Sequence, residues 1–317
     1  MRKTGNKAVK IVFMGTPDLA VTVLDSIVNS RHEVTAVVTR EDKPKGRGKE
    51  VSMPPVKEYA LEHGLTVFQP AKIKTPESIA TLKTFEADIF VVAAYGQILS
   101  QEILDMPAKG CINVHTSLLP KYRGSAPIQW AIIEGETMTG VSVMQMDAGM
   151  DTGPVLFTEE VPVADDETGG TLHDKLAEAG AKLIVKALDE IEAGNAHPVK
   201  QDSEAATYAK MLDKKMGHIN FAEPAVKIER MIRGLDPWPG TFTFFGGKTL
   251  KIWKAYVCNE ECREAPGTVI GVEKDAFTVS TGEGALRITE VQLEGRKRMQ
   301  TGEFMRGCKI EAGDILG

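Results

Sequence analysis

Asn113 and His115 stand two residues apart at the end of an apolar run, Ala108 to Val114. On a strand, a period of two turns alternate side chains to one face, so an amide and an imidazole are expected to point the same way. Further on, Gly149 and Gly153 bracket Asp151, which predicts a tight polar loop carrying a carboxylate. An amide can donate to an oxyanion, an imidazole can carry a proton, and a carboxylate can orient the imidazole. Together the three types point to acyl-type transfer. Seen singly, each has a plainer explanation: strand-end Asn and His are usually structural, and an Asp in a glycine-rich turn is usually a turn residue. Asp147 competes with Asp151 for the carboxylate's role.

The elements around these residues read as a parallel α/β sheet. Ala8 to Met14 is a buried strand closed by Gly15-Thr-Pro-Asp18, Leu19 to Val28 has a helical pattern, and Val34 to Thr39 is a second strand. Strand–helix–strand at this spacing indicates a parallel sheet. Val56 to His63 and Ser78 to Phe85 read as helices, and Asp88 to Ala94 as another core strand, followed by Tyr95-Gly-Gln97. Ligands of open α/β sheets lie beyond the carboxyl ends of strands, and Gly15-Thr16, Tyr95 to Gln97 and Asn113 to Ser117 all fall there. The first turn lacks Gly-x-Gly-x-x-Gly, which speaks against a nicotinamide or flavin cofactor. Ile128 to Glu134 continues as a helix, Thr139 to Met146 and Val155 to Val163 as an antiparallel pair, and Thr171 to Ala193 as a long amphipathic helix whose apolar face is core.

Composition narrows the function classes. The chain has 317 residues, enough for two cores, and 42% hydrophobic with 26% charged residues is ordinary for a globular protein. The net charge of −6 argues against a uniformly basic nucleic-acid binder. It is unevenly spread: from Tyr208 onward 17 Lys and Arg face 15 Asp and Glu, whereas the preceding residues hold 21 against 29. An RNA partner is permitted by this balance but not demanded. Cys111, Cys258, Cys262 and Cys308 do not make a disulfide scaffold, and no second Cys/His pair turns Cys258-x-x-x-Cys262 into a metal site; free thiols and no metal are expected. No signal-peptide apolar region and no membrane-spanning run is evident, so a cytoplasmic protein without a membrane partner is expected.

Arg40 to Lys49 holds five basic residues, two glycines and one proline. It reads either as a solvated loop or as a basic flap that reaches for phosphates. Ala196 to Leu212 is polar and irregular and reads as a linker, with a small basic cluster at Lys210, Lys214 and Lys215. Past it, Val226 to Arg233 is a short helix. Five short strands follow, Thr241 to Phe245, Leu250 to Val257, Gly267 to Val272, Ala276 to Ser280 and Leu286 to Leu293. Five strands with glycine-rich turns suit a small barrel, for which an oligonucleotide-binding barrel is one candidate among several small β folds.

The motifs also carry a family resemblance. Asn113-Val-His115, Ser117-Leu-Leu-Pro120, Arg123-Gly with Ala126-Pro127, and Asp147-x-Gly-x-Asp151-x-Gly-Pro resemble the core of the folate-dependent formyltransferases. Phe13 to Asp18, Lys43 to Lys49, Ala94 to Leu99 and Ile232 to Gly240 are similar to the branch that acts on methionyl-tRNA, and the likeness covers nearly the whole chain. The resemblance implies a Rossmann-like, mostly parallel formyltransferase domain over 1–195, a linker over 196–212 and an OB-like, tRNA-binding β-barrel over 213–317. It implies formyl transfer from 10-formyltetrahydrofolate to the α-amine of initiator methionyl-tRNA through a tetrahedral intermediate. Asn113 is then the oxyanion donor, His115 the proton shuttle and Asp151, rather than Asp147, the group that orients it. The pterin and formyl group are implied near Tyr95, Gly96, Gln97, Ile98 and Leu99, and near Ser117, Leu118, Leu119 and Pro120. Arg47 matches the family's tRNA-contacting loop, which favours the flap reading; Arg40, Lys43, Lys45 and Lys49 join it, with Lys210, Lys214 and Lys215 next. A monomer is expected.

Two other enzymes share this chemistry: a formyltransferase acting on a sugar-nucleotide amine, and a hydrolase that releases formate from the folate. A third class is an RNA-binding module with an inert first domain, against which Asn113, His115 and Asp151 all speak.

Overall fold

After an exposed lysine, the first strand is apolar from Ile11 to Met14 and is buried there on both faces, as a central parallel strand must be. A computed structural model of the chain describes residues 7–45, 50–258 and 262–317. Along it run β1 (Lys10–Gly15), α1 (Asp18–Val28), β2 (Glu33–Val38), β3 (Lys43–Lys45), β4 (Glu50–Ser52), α2 (Pro55–Glu62), β5 (Val67–Phe68), α3 (Pro76–Lys83), β6 (Ile89–Ala93), α4 (Gln101–Leu104) and β7 (Cys111–His115). There follow β8 (Arg123–Gly124), α5 (Pro127–Ile133), β9 (Met138–Gln145), β10 (Val155–Pro162), α6 (Gly169–Ala193) and β11 (Tyr208–Ala209). The last third holds α7 (Ala225–Gly234), β12 (Thr241–Phe245), β13 (Lys248–Cys258), β14 (Val269–Val272), β15 (Phe277–Ser280), β16 (Ala285–Leu293), β17 (Met299–Gln300) and α8 (Thr301–Gly307).

The chain divides into two units. The first gathers Met1–Gly124, Met138–Pro162 and His173–Ala209; the second gathers Ser125–Thr137, Val163–Leu172 and Lys210–Gly317. In the first unit the sheet order is β10-β9-β7-β6-β1-β2-β5. The five strands from β5 to β7 pair in parallel, and β9 and β10 add an antiparallel edge. From β1 the chain builds outward through β2 and β5, then returns to β6 on the other side of β1. The switch point therefore lies between the ends of β1 and β6, where ligands of such sheets bind. One sheet face packs against α6, closely enough at Gly180 that an added Cβ would sit 3.0 Å from Val114. The opposite face joins Val12, Met14, Phe90 and Cys111 to Ile79 and Leu82 of α3 and Ile103 and Leu104 of α4. Asn113 and His115 follow Cys111 on that second face.

The basic stretch after β2 is not wholly irregular. β3 and β4 form a short antiparallel hairpin, Lys43 opposite Ser52 and Lys45 opposite Glu50. Arg47 and Lys49 lie outside the described residues. As far as Ala209 the polar stretch belongs to the first unit: Val199 bridges Val155 and β11 pairs in parallel with β8.

In the second unit an antiparallel sheet runs β12-β13-β16-β15-β14, with β17 on β16. Its inner face, with Leu250, Ile252, Phe277, Leu286 and Ile288, packs on Ile228 and Ile232 of α7. The path is open among the described residues, β12 and β14 being its ends. The last residues reach toward both: Leu316 N donates to Gly267 O at 2.8 Å and Gly317 N to Phe244 O at 3.1 Å. A smaller cluster joins Ala126, Trp130 and Ile133 of the α5 segment to Leu212, Met231 and Leu235.

Candidate active site

β7 ends in His115, 6% exposed, and β9 beside it places Ser142 opposite. The imidazole is held at one nitrogen: Nε2 lies 2.9 Å from the carbonyl oxygen of Tyr122. A carbonyl only accepts, so Nε2 carries the proton and the basic lone pair of the neutral ring sits on Nδ1. Nδ1 faces Asp151 Oδ2 at 3.7 Å, a charge–charge distance rather than a hydrogen bond. The same Oδ2 accepts the backbone N–H of Gly124 at 2.8 Å. Asp151 thus stands beside Nδ1, while Nε2 is held by the Tyr122 carbonyl.

Asn113 is half-buried on the same strand, and its carboxamide makes no hydrogen bond among the described residues. Asp147, by contrast, is occupied locally: its Oδ1 accepts from Gly149 N at 3.0 Å and from Thr152 Oγ1 at 2.7 Å, closing its own turn. Of the two aspartates, Asp151 is the one beside His115.

Backbone strain concentrates here. Of the four non-glycine residues with positive φ among the described residues, Ala94, Tyr122 and Asp151 lie at or next to these strand ends, with φ of +47°, +58° and +54°. Such conformations cost about 1–3 kcal/mol each and gather where a site demands them. Gly124 follows at φ +111°, and an added Cβ there would lie 2.7 Å from Ala209 O, so β11 can approach only a glycine.

The expected folate residues divide by what their side chains do. Gln97 is engaged at both ends, Oε1 accepting from Ile73 N at 2.9 Å and Nε2 donating to Pro70 O at 3.0 Å. Leu99 is core, whereas Ile98 is 81% exposed. Tyr95 is buried, its hydroxyl without a hydrogen-bond partner among the described residues, and burial pushes that hydroxyl up to about 12. Its carbonyl accepts from Thr16 Oγ1 at 3.0 Å, linking the turns after β1 and β6. Ser117 is fully buried, donating to Lys121 O at 2.6 Å, and Leu119 N donates to Ser142 Oγ at 3.1 Å; Leu118 packs by Gly140 and the Leu119–Pro120 bond is cis. Gly96 and Tyr95, with Thr16, Arg40, Ser52 and Pro54, line a cavity of about 480 Å³ at the sheet's switch point.

Of the basic residues, Arg40 donates to the Gly96 carbonyl and Lys43 borders the same cavity, exposed. Lys45 lies in β3. In the second unit Lys210, Lys214 and Lys215 are exposed, the last two in a short 3-10 turn capped by Asp213, which accepts from Lys215 N at 2.7 Å. Among the described residues no group of three His, Cys, Asp or Glu is arranged to hold a metal ion. No described helix is long and apolar enough to cross a membrane.

The sequence matches the formyl transferase family over residues 9–188 and the formyl transferase C-terminal domain over residues 211–309. The chain belongs to the formyl transferase family. Among its relatives, a methionyl-tRNA formyltransferase of Agathobacter rectalis is 53% identical over 307 residues, covering 97% of this chain and 99% of that one. One from Clostridioides difficile is 47% identical, covering 97% and 100%. The formyl transferase fold is shared at lower identity by an N-formyltransferase from Helicobacter canadensis in complex with folinic acid and dTDP-3-aminofucose, at TM-score 0.67, 20% identity and coverage of 92% and 100%. HypX from Aquifex aeolicus in complex with tetrahydrofolic acid gives TM-score 0.65 at 18% identity, covering 98% of this chain and 51% of that one.

Sequence reasoning overlooked two backbone groups beside His115 and Asp151, the Tyr122 carbonyl and the Gly124 N–H. The Tyr-Arg-Gly run was the available signal, because a glycine between polar residues marks a chain that doubles back.

Proposed function

We propose that the chain transfers the formyl group of 10-formyltetrahydrofolate to the α-amine of initiator methionyl-tRNA. The observation that carries the chemistry is the arrangement at His115: one nitrogen held by a carbonyl, the other free to take a proton beside a carboxylate. Relatives called methionyl-tRNA formyltransferases, sharing about half their residues over 97% of this chain, support the choice of amine. The sugar N-formyltransferases share only the fold.

Folate supplies the carbonyl carbon that the amine attacks. Asn113 donates a hydrogen bond to the oxygen as it gains charge, a term worth about 3–4 kcal/mol in comparable sites. His115 takes the amine's proton on Nδ1, and Asp151 stabilises the resulting imidazolium. The proton then returns to the departing folate nitrogen. No side-chain nucleophile is required, since the amine is one. Tyr95 to Leu99 and Ser117 to Pro120 form the folate side, chiefly through Ile98 and backbone groups, because Gln97 and Leu99 are engaged elsewhere.

The second unit is read as an OB-like barrel whose open edge the C-terminal residues bridge, within a division into 1–195, a linker 196–212 and 213–317. Arg40, Lys43, Lys45, Arg47 and Lys49 are proposed phosphate contacts, with Lys210, Lys214 and Lys215. The protein works as a cytoplasmic monomer in this reading. Formylfolate supplied in parallel with Met-tRNA, free methionine and a sugar-nucleotide amine tests it. Formyl appears on Met-tRNA; formate alone, or formylation of the sugar amine, overturns it.

A further inference from the structure

Gln201 lies in the polar stretch 196–212, yet it is only 7% exposed, and its carboxamide is occupied at both ends. Oε1 accepts from Arg123 Nε at 3.1 Å and from Arg123 Nη2 at 2.8 Å. Nε2 donates to the carbonyl of Asp151 at 2.9 Å and to that of Gly153 at 2.7 Å. Arg123 is itself 3% exposed, so a buried cation meets a neutral amide oxygen through two charge-assisted bonds. Pulling electron density toward that oxygen strengthens the amide's N–H donors in turn.

The bonds form a closed circuit. The Arg123 side chain grips Gln201, Gln201 grips the backbone at Asp151, and the Asp151 carboxylate accepts the N–H of Gly124, the residue after Arg123. The circuit closes at the residue whose φ of +54° an unbraced Asp adopts at a cost. The same stretch also holds the imidazole's partner. Thr207 Oγ1 accepts from Tyr122 N at 2.8 Å and Thr207 O from Arg123 N at 2.9 Å, while the Tyr122 carbonyl receives His115.

We propose that Gln201 is a positioning residue for formyl transfer, bracing the strained Asp151 loop against Arg123 so that the carboxylate faces His115 Nδ1. The proposal rests on the functional reading above. Gln201 touches no reacting atom; it acts through Asp151. Displacing a charge by about 1 Å in such a site costs on the order of 100-fold in rate, so Gln201→Ala is expected to lower kcat by about 10- to 100-fold with KM for Met-tRNA nearly unchanged. Gln201→Glu keeps the volume and the Arg123 contact but removes both donors, and is expected to lose kcat similarly while remaining folded.

A double-mutant cycle with Asp151→Asn is the test, measured as kcat in the full-length enzyme. With the carboxylate gone, adding Gln201→Ala or Gln201→Glu should cost less than about threefold. Hydrogen exchange, which needs no substrate, should quicken across residues 147–154 in both single variants and stay unchanged in β1 and β6. An equal loss in both backgrounds overturns the proposal, as does kcat within about twofold of wild type for Gln201→Glu. Should Gln201→Ala fail to fold, the Gln201→Glu arm alone decides. A wild-type enzyme inactive on Met-tRNA would sink the functional reading instead, and the exchange arm would still report whether Gln201 braces the loop.

Discussion

Replacing Asp151 by Asn removes a charge and little else. Asn has the same shape, tolerates the left-handed backbone at this position, and keeps an oxygen to accept the Gly124 N–H. What disappears is the attraction between a carboxylate and the imidazolium proposed to form 3.7 Å away. At that separation Coulomb's law gives about 1 kcal/mol in a water-like medium and about 4.5 kcal/mol at an effective dielectric of about 20. The His115 side chain is 6% exposed and that of Asp151 18%, so solvent reaches the pair only in part. A loss of about 2–3 kcal/mol follows, or roughly 30- to 150-fold in kcat. Initial rates of Met-tRNA formylation at saturating formylfolate measure it, beside a thermal melt to show that the fold is kept. Salt should move the ratio of the two rates little, because the pair is mostly shielded from ions. A kcat within threefold of wild type would refute the reasoning. So would an unchanged kcat with a raised KM, which would make Asp151 a binding residue.

Three further outcomes are expected. Asn113→Ala should lower kcat by about 100- to 1000-fold with the melting temperature unchanged, and near-wild-type turnover removes Asn113 from the reaction. Arg47→Ala should chiefly weaken use of charged tRNA and make the log–log salt dependence of its KM shallower by about one charge; an unaltered slope removes the flap. His32 bears on stability. Burial of its ring, aided by Arg31 and opposed by Asp189, holds it below its ordinary 6.5. The unfolded chain therefore binds a proton first as pH falls, so stability is full above about 6.5 and declines below it, toward the folded-state value. Melts across about pH 7 to 5.5 should show a decline that His32→Asn flattens, since the Asn oxygen can replace Nδ1 as acceptor for Val9 N; equal slopes contradict this.

Where side chains repeat with a clear period, the chain is legible by eye. Ile11 to Met14, Ile89 to Val92 and, apart from the half-buried Asn113, Cys111 to Val114 are buried strands as their apolar runs imply, and the five late strands fall within a few residues of their expected bounds. The meeting of His115 with Asp151 was legible from motif chemistry, although 36 positions separate them. Less legible is whatever depends on a partner distant in sequence and has no period of its own. β11 is two residues long and lies in a polar stretch, so nothing local distinguishes it from a linker. Gln201 reaches Arg123 from 78 positions away, and a lone polar residue carries no trace of being buried. The hairpin of β3 and β4 was hidden by charge, because lysines next to glycines look like loop whether or not their backbones pair.

The α5 segment has a practical consequence for anyone who divides this molecule. It lies between β8 and β9 in the chain, but its Ala126, Trp130 and Ile133 pack with Leu212, Met231 and Leu235, and Gly234 is so near that an added Cβ would meet Ile133 at 2.7 Å. A fragment started near residue 211, where the family's C-terminal domain begins, would be made without this helix. Uncovering Leu235, which is wholly buried, costs about 1.5–3 kcal/mol by itself and leaves an exposed apolar flank. Affinities measured on such a truncation would mix recognition with adhesion, and the intact polypeptide is the sounder reagent.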